Sequence, residues 1–275
     1  MLLHKFIGGN SIQTVLPVAN RMLKEYRTPI INYMIEHCNE PRNILDEYLN
    51  LIKHIDYQYK IAIKPSSFHF DQDMIEYLIE KSIEKNIRVL IDAEEGYLND
   101  RYQEITDDLL YKHNKQFAYV IKTYQMYRKD SLQTLEQNIY DSQKNKYNLG
   151  IKLVRGAYHN SEKKNGQLFT EKELTDENYN KGILTIANHS INTYTILATH
   201  NKNSIELGYL MNRTKKRRKF EFANLMGMQE NMYNNIIKSG NKVNVYIPYG
   251  PYSKMIPYLT RRLYENIDMI KYMRK

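Results

Sequence analysis

The sequence predicts a single-domain (β/α)8 barrel of the TIM type. Eight short apolar runs recur at fairly even intervals: TPIINYMIE, YKIAIK, RVLIDAE, FAYVIKTYQ, LGIKLVRGAY, YTILATHN, FEFANLMGM and KVNVYIPYG. Longer segments with helical periodicity separate them, and strand followed by helix eight times over is the pattern of a parallel barrel. The length of 275 residues suits one such barrel, typically ~250 residues, and leaves no room for a second domain. Residues 1–275 therefore read as one unit.

The elements follow in order. The first run occupies 28–36. The second ends at Lys64-Pro65, and because proline lacks an N–H the strand must stop or bulge there. Residues 71–85 read as a helix with Asp71 or Asp73 as N-cap and Met74, Tyr77, Leu78 and Ile83 on one side. After the third and fourth runs, residues 131–143 carry Leu132, Leu135 and Ile139 at helical spacing. The fifth run leads into 159–176, a polar stretch containing Gly166, expected to be a long loop on the catalytic face. Thr175-Asp176 then cap a helix whose apolar stripe is Tyr179, Ile183 and Ile186. Residues 204–212 form the next helix, with Ile205, Leu207, Gly208 and Leu210. Beyond the eighth run, Pro257 suits the first turn of a last helix.

Bulk properties narrow the function classes. No apolar run is long enough to span a bilayer, and the N-terminus lacks the pattern of a secretory signal or transit peptide. Cys38 is the only cysteine, so no internal disulfide forms and a reducing compartment is acceptable. A cytoplasmic location is the expectation. The net charge of +9 raises the question of nucleic acid. Its densest source, Lys215 to Lys219, precedes the seventh strand and so falls on the barrel face opposite the catalytic mouth. A solvated connection is the plainer reading of that run.

Several strands end in polar residues that a core strand does not need. Side chains alternate along a strand, so Lys64 shares the face of Ala62, Asp92 that of Leu90, Gln125 that of Thr123, and Lys152 that of Val154. A single buried charge is explained by an ion pair. Two lysines, an aspartate and a glutamine converging from separate strands point to a site. Tyr258, Arg261, Arg262 and Glu265 lie at i, i+3, i+4 and i+7 of the last helix and share one face. Adjacent arginines can grip a carboxylate or phosphate. A solvated face with an Arg261–Glu265 pair is the alternative.

Five motifs, KLVRGAY (152–158), ATHN (198–201), FEFANLMGM (220–228), YIPYG (246–250) and YLTRRLYEN (258–266), occur in the order and at the spacing of one known family. With FIGGNSIQ near the N-terminus, nearly the whole chain resembles the proline dehydrogenase family. The resemblance implies a (β/α)8 barrel that binds FAD and oxidises L-proline to 1-pyrroline-5-carboxylate, the first step of proline catabolism. It implies that hydride passes from the ring to the flavin, and that electrons go on to a quinone or another acceptor. It places Lys152 at flavin N5, with Arg155, Gly156, Ala157, Gln125, Thr199 and His200 beside the cofactor. It assigns Arg261 and Arg262 to the substrate carboxylate, Lys64 and Asp92 to the active site, Tyr158, Tyr246 and Tyr258 to the walls around the ring, and Glu36 to the substrate amine. No metal is expected. The chain departs from the family pattern at Pro65, at Asn32 and at His159, where many members have a bulky apolar residue.

The residues agree with this assignment chemically. Proline has a carboxylate and an amine on a small apolar ring, so its site needs a cationic clamp, an apolar wall and little water. Oxidation of another cyclic amino acid such as hydroxyproline is the near alternative, which Tyr246 disfavours by crowding a ring hydroxyl. A basic nucleic-acid-binding protein is the distant one, and an inactive, flavin-free scaffold on the same fold is a third. The terminal IDMIKYMRK mixes apolar and basic side chains, a composition suited to weak contact with an anionic membrane surface. A packed final turn is the plainer alternative.

Overall fold

Each of the eight runs forms a strand: β1 (Arg27–Tyr33), β2 (Lys60–Ile63), β3 (Arg88–Ile91), β4 (Val120–Gln125), β5 (Leu149–Val154), β6 (Thr193–Ala198), β7 (Glu221–Leu225) and β8 (Val243–Tyr249). The structure, a computed structural model, describes residues 5–35, 39–162, 166–189, 192–214 and 220–255. The strands pair in parallel, in chain order, and close on themselves through β1 and β8. The helices among the described residues are α1 (Ile12–Lys24), α2 (Pro41–Lys53), α3 (Gln72–Ile83), α4 (Asn99–His113), α5 (Ser131–Lys144), the short α6 (His159–Glu162), α7 (Lys172–His189), α8 (Lys202–Thr214) and α9 (Glu230–Lys238). The predicted barrel is thus the observed fold.

Alternation along the strands divides the core in two. Outward residues such as Ile31, Ile61, Val89, Leu153, Phe222 and Val245 pack under the helices in one large cluster. Inward residues form a smaller cluster of Ile30, Ala62, Leu90, Ile121, Ile196, Ala223 and Tyr246, joined by Phe6 and Ile7. Helix α1 packs its Ile12, Val15, Ala19 and Met22 face into the outer cluster, against β1 and β8. At the N-terminal end of the barrel, Lys60 donates to Glu221 Oε2 at 3.1 Å, and Asn244 Nδ2 donates to the same oxygen at 3.0 Å. The Tyr194 hydroxyl also donates to it. Burial alone would raise the Glu221 carboxyl, but Lys60, Tyr194 and Asn244 outweigh it and bring it down to about 2. This layer leaves the opposite end of the barrel for the cavity described below.

Several local expectations are corrected. Helix α3 buries Ile75, Leu78, Ile79 and Ser82, whereas Tyr77 is exposed. Those four positions are the i, i+3, i+4, i+7 set, so the stripe is rotated from the one predicted. Asp71 does cap this helix, accepting the Met74 N–H at 3.0 Å. Thr175 and Asp176 do not cap α7, which begins at Lys172. The Asp176 side chain is instead drawn to Arg155 and Lys172, at 2.6 and 2.7 Å. The stretch 159–176 is not one open loop either. It holds α6, and its later part is laced to the β4–α5 connection: Lys129 N–H donates to Gln167 O at 3.0 Å and Phe169 N–H to Tyr127 O at 2.9 Å. Pro65 ends β2 as expected and opens a 3-10 turn, Pro65–Phe68. The basic run 215–219 lies outside the described residues, as does the helix predicted from Pro257.

Candidate active site

A cavity of about 1780 Å³ opens at the C-terminal ends of the strands and reaches outward along α8 and α9. In barrels of this kind that end carries the chemistry. Lys64, Asp92, Gln125, Lys152, Arg155, Gly156, Ala157, Tyr158, Thr199, His200 and Tyr246 all line it. These are all the site residues predicted from sequence that fall within the described part of the chain. Glu36, Tyr258, Arg261 and Arg262 lie outside it.

Asp92 is the hub. It follows β3 directly and is 9% exposed. Its Oδ1 accepts Lys152 Nζ at 2.6 Å, and its Oδ2 accepts the Tyr246 hydroxyl at 2.6 Å. The Lys152 ammonium also lies 5.1 Å from the centre of the Tyr246 ring. Both lysines and the carboxylate face inward because they continue the alternation of Ala62, Leu90 and Gly150 along their strands. Across the mouth, Lys64 Nζ donates to the Tyr158 hydroxyl at 3.0 Å and sits 5.5 Å from the ring centre. Two Lys–Tyr contacts thus flank the inner cavity, and Asp92 bonds directly to both members of one of them.

A second group lines the outer part. Arg155 donates from Nε to Asp176 Oδ1 at 2.6 Å and from a terminal nitrogen to Ser204 Oγ at 3.0 Å, and it also engages Thr199 Oγ1. Burial would raise the Asp176 carboxyl, but Lys172 and Arg155 outweigh it and hold it below its usual range. His200 stays neutral far into acid: burial, then the Arg155 charge, push its imidazole down to about 4. Gly156 has φ +140°, and a Cβ there would stand 2.3 Å from the Tyr127 ring. Only glycine brings the backbone this way past Tyr127.

Sequence reasoning missed three groups. Glu94 is buried, accepts the Ser66 N–H at 2.8 Å, and offers its carbonyl to Gln125 Nε2 at 2.9 Å. Burial raises its carboxyl against the opposing pull of Lys64 and Ser66. The signal was present in IDAEE, where Glu94 shares the parity of Asp92. Thr123 and Asn224, unlike Glu94, line the cavity itself. Thr123 Oγ1, Asn224 Oδ1 and His200 Nδ1 are buried without a hydrogen-bond partner among the described residues. Three orphaned polar atoms around one large cavity fit a bound group rich in donors and acceptors. A flavin dinucleotide has that character, so the residues present fit FAD.

The family model described as proline dehydrogenase matches residues 18–275. The chain belongs to the proline dehydrogenase family. It is 30% identical over 208 residues to proline dehydrogenase 1, mitochondrial, of Caenorhabditis elegans, covering 70% of this chain and 34% of that protein. It is 29% identical over 283 residues to proline dehydrogenase 1, mitochondrial, of Dictyostelium discoideum, covering 94% of this chain and 48% of that one. The chain thus spans half or less of the length of these relatives. A crystal structure of proline utilization A from Bdellovibrio bacteriovorus superposes with a TM-score of 0.90 at 20% identity, covering 96% of this chain and 32% of that one. That likeness establishes the shared barrel. No described helix is long and apolar enough to cross a membrane.

Proposed function

We propose that the chain oxidises L-proline to 1-pyrroline-5-carboxylate with FAD as cofactor, the first step of proline catabolism, and passes the electrons to a quinone or another acceptor. The observation that carries this reading is the convergence of Lys152, Asp92 and Tyr246 on one cavity in a proline dehydrogenase barrel. FAD, when bound, supplies the two-electron acceptor. The chain's residues bind, orient and tune.

Lys152 would offer a cation to the reduced cofactor, and Asp92 holds that ammonium in place. Tyr246, tethered by the same carboxylate, and Tyr158, tethered by Lys64, wall the ring. These tethers fix both phenols, so the space for substrate is set before it enters. Arg155, Gly156, Ala157, Gln125, Thr199 and His200 would hold the cofactor. Arg261 and Arg262 are proposed to take the carboxylate, Tyr258 to complete the wall, and Glu36 to face the amine. A cytoplasmic enzyme making weak membrane-surface contact accords with a quinone acceptor.

The deciding experiment is the absorption spectrum of the purified protein under anaerobic conditions. The protein should be yellow and should bleach on adding L-proline. A colourless protein, or a flavin band that L-proline leaves unchanged, refutes the proposal.

A further inference from the structure

Lys64 stands at the cap position of the Pro65–Phe68 turn. A helical turn leaves its first N–H groups without partners, and a cap side chain with an acceptor normally takes one. Here the cap residue is a lysine, which has no acceptor, and the first residue of the turn is a proline, which has no N–H. The first orphan donor is therefore Ser66 N–H. It is taken by Glu94 Oε1 at 2.8 Å, from the segment that follows a neighbouring strand. Glu94 is only 4% exposed, so its carboxylate is committed to this place.

The same residue reaches the other side of the site. Its carbonyl oxygen accepts Gln125 Nε2 at 2.9 Å. Lys64 and Gln125 line the same cavity from different strands. One faces Tyr158, and the other belongs to the group read as cofactor-binding. Lys64 and Gln125 stand in the cavity wall and Glu94 does not, so Glu94 reaches the cavity only through those two.

We propose that Glu94 is a positioning residue that caps the Lys64 turn from a neighbouring strand and thereby fixes Lys64 and Gln125 relative to each other. The cap position cannot hold the usual Ser, Asp or Thr, because the site uses a lysine there. The acceptor is supplied from β3's side instead. This inference rests on the proposed proline oxidation for its kinetic part and on geometry alone for its structural part.

Two variants test it. Glu94→Ala removes the acceptor; Glu94→Gln keeps an amide oxygen that can still accept Ser66 N–H. In Glu94→Ala, the Michaelis constant for L-proline should rise about tenfold, the loss expected from one hydrogen bond to a charged group, with kcat changed less. Glu94→Gln should recover most of that loss. Hydrogen exchange followed by mass spectrometry should show faster exchange in a peptide spanning 64–70 of the alanine variant, restored in the glutamine variant, with outer-helix peptides unchanged. Unchanged exchange at 64–70 in Glu94→Ala overturns the cap. A glutamine variant as impaired as alanine also overturns it and assigns the effect to charge. Faster exchange throughout the barrel, with the Michaelis constant unaltered, reduces Glu94 to a structural role. If the wild type does not turn over proline, the proposed function fails, and the exchange pattern still decides the cap.

Discussion

The Asp92–Lys152 pair permits a quantitative test. At 2.6 Å, and with an effective dielectric of about 20, the attraction of the two charges is roughly 6 kcal/mol. Desolvation of both ions offsets much of that, because the two side chains are only 8% and 12% exposed. The net coupling expected for such a pair is ~2–4 kcal/mol. Asp92→Asn keeps the volume and leaves one oxygen to accept the Tyr246 hydroxyl, but Lys152 loses its counter-charge. Lys152→Met leaves the carboxylate still bonded to Tyr246. Each single variant should lose ~3 kcal/mol in urea unfolding at neutral pH, from the ion left unpaired in a buried place. The double variant should lose clearly less than the sum of the two. A coupling below about 0.5 kcal/mol, the usual error of additivity, would refute the pair as an organising contact. Flavin reduction by proline, followed in stopped flow, should slow in both single variants.

Other outcomes rest on the cavity wall, on the arginine pair proposed for the substrate carboxylate, and on the buried Glu221 layer. Tyr246→Ser removes a buried phenol from the cavity wall, so the preference for L-proline over trans-4-hydroxy-L-proline, expected at up to ~10²-fold, should narrow when kcat/KM is measured for both substrates. Arg262→Met should raise the Michaelis constant for proline, with a loss of ~2–4 kcal/mol in kcat/KM, while flavin content stays constant; an unchanged constant would remove that arginine from substrate binding. The Glu221 carboxyl lies at about 2 in the fold against an ordinary 4.5, so its stabilisation is complete above pH 4.5 and is lost as pH falls toward 2. Urea unfolding across that interval should show a shallower pH slope in Glu221→Gln than in the wild type, from a lower starting stability.

Much of this was legible in the chain because two periodicities report on burial. Six strands fell within their apolar runs and two, β1 and β6, began one residue ahead of theirs, and the interruptions Lys64, Asp92, Gln125 and Lys152 all reached the cavity. Their parity alone assigned them to one face. What the sequence did not show was who partners whom. Lys152 and Tyr246 meet on Asp92 from strands far apart in sequence, and nothing in a linear pattern encodes that. The place of Asp176 was misread because Asp is favoured at N-caps, and an arginine reached it first. The α3 stripe was misread by a rotation because Tyr77 is apolar enough to count as core yet lies on the outer side, beside Lys81. Glu94 was overlooked because a glutamate after a strand looks like an ordinary loop charge.

The seam between β1 and β8 has a consequence for how the molecule is made. It runs over seven residue pairs, from Arg27↔Val243 to Tyr33↔Tyr249, and joins the strands farthest apart in the chain. Helix α1 spans the same seam, packing on β1 and on β8. During synthesis β1 emerges first of the eight barrel strands, just after α1, and β8 emerges last of them. Until it does, β1 and β7 are open sheet edges and one side of α1 lacks its partner, a state exposed to mispairing. Long-range parallel pairing is also slow to form. Closure is therefore a late, single commitment that both ends of the sheet must await. A chain permuted so that β8 led directly into α1 would turn its longest-range seam into one of its most local.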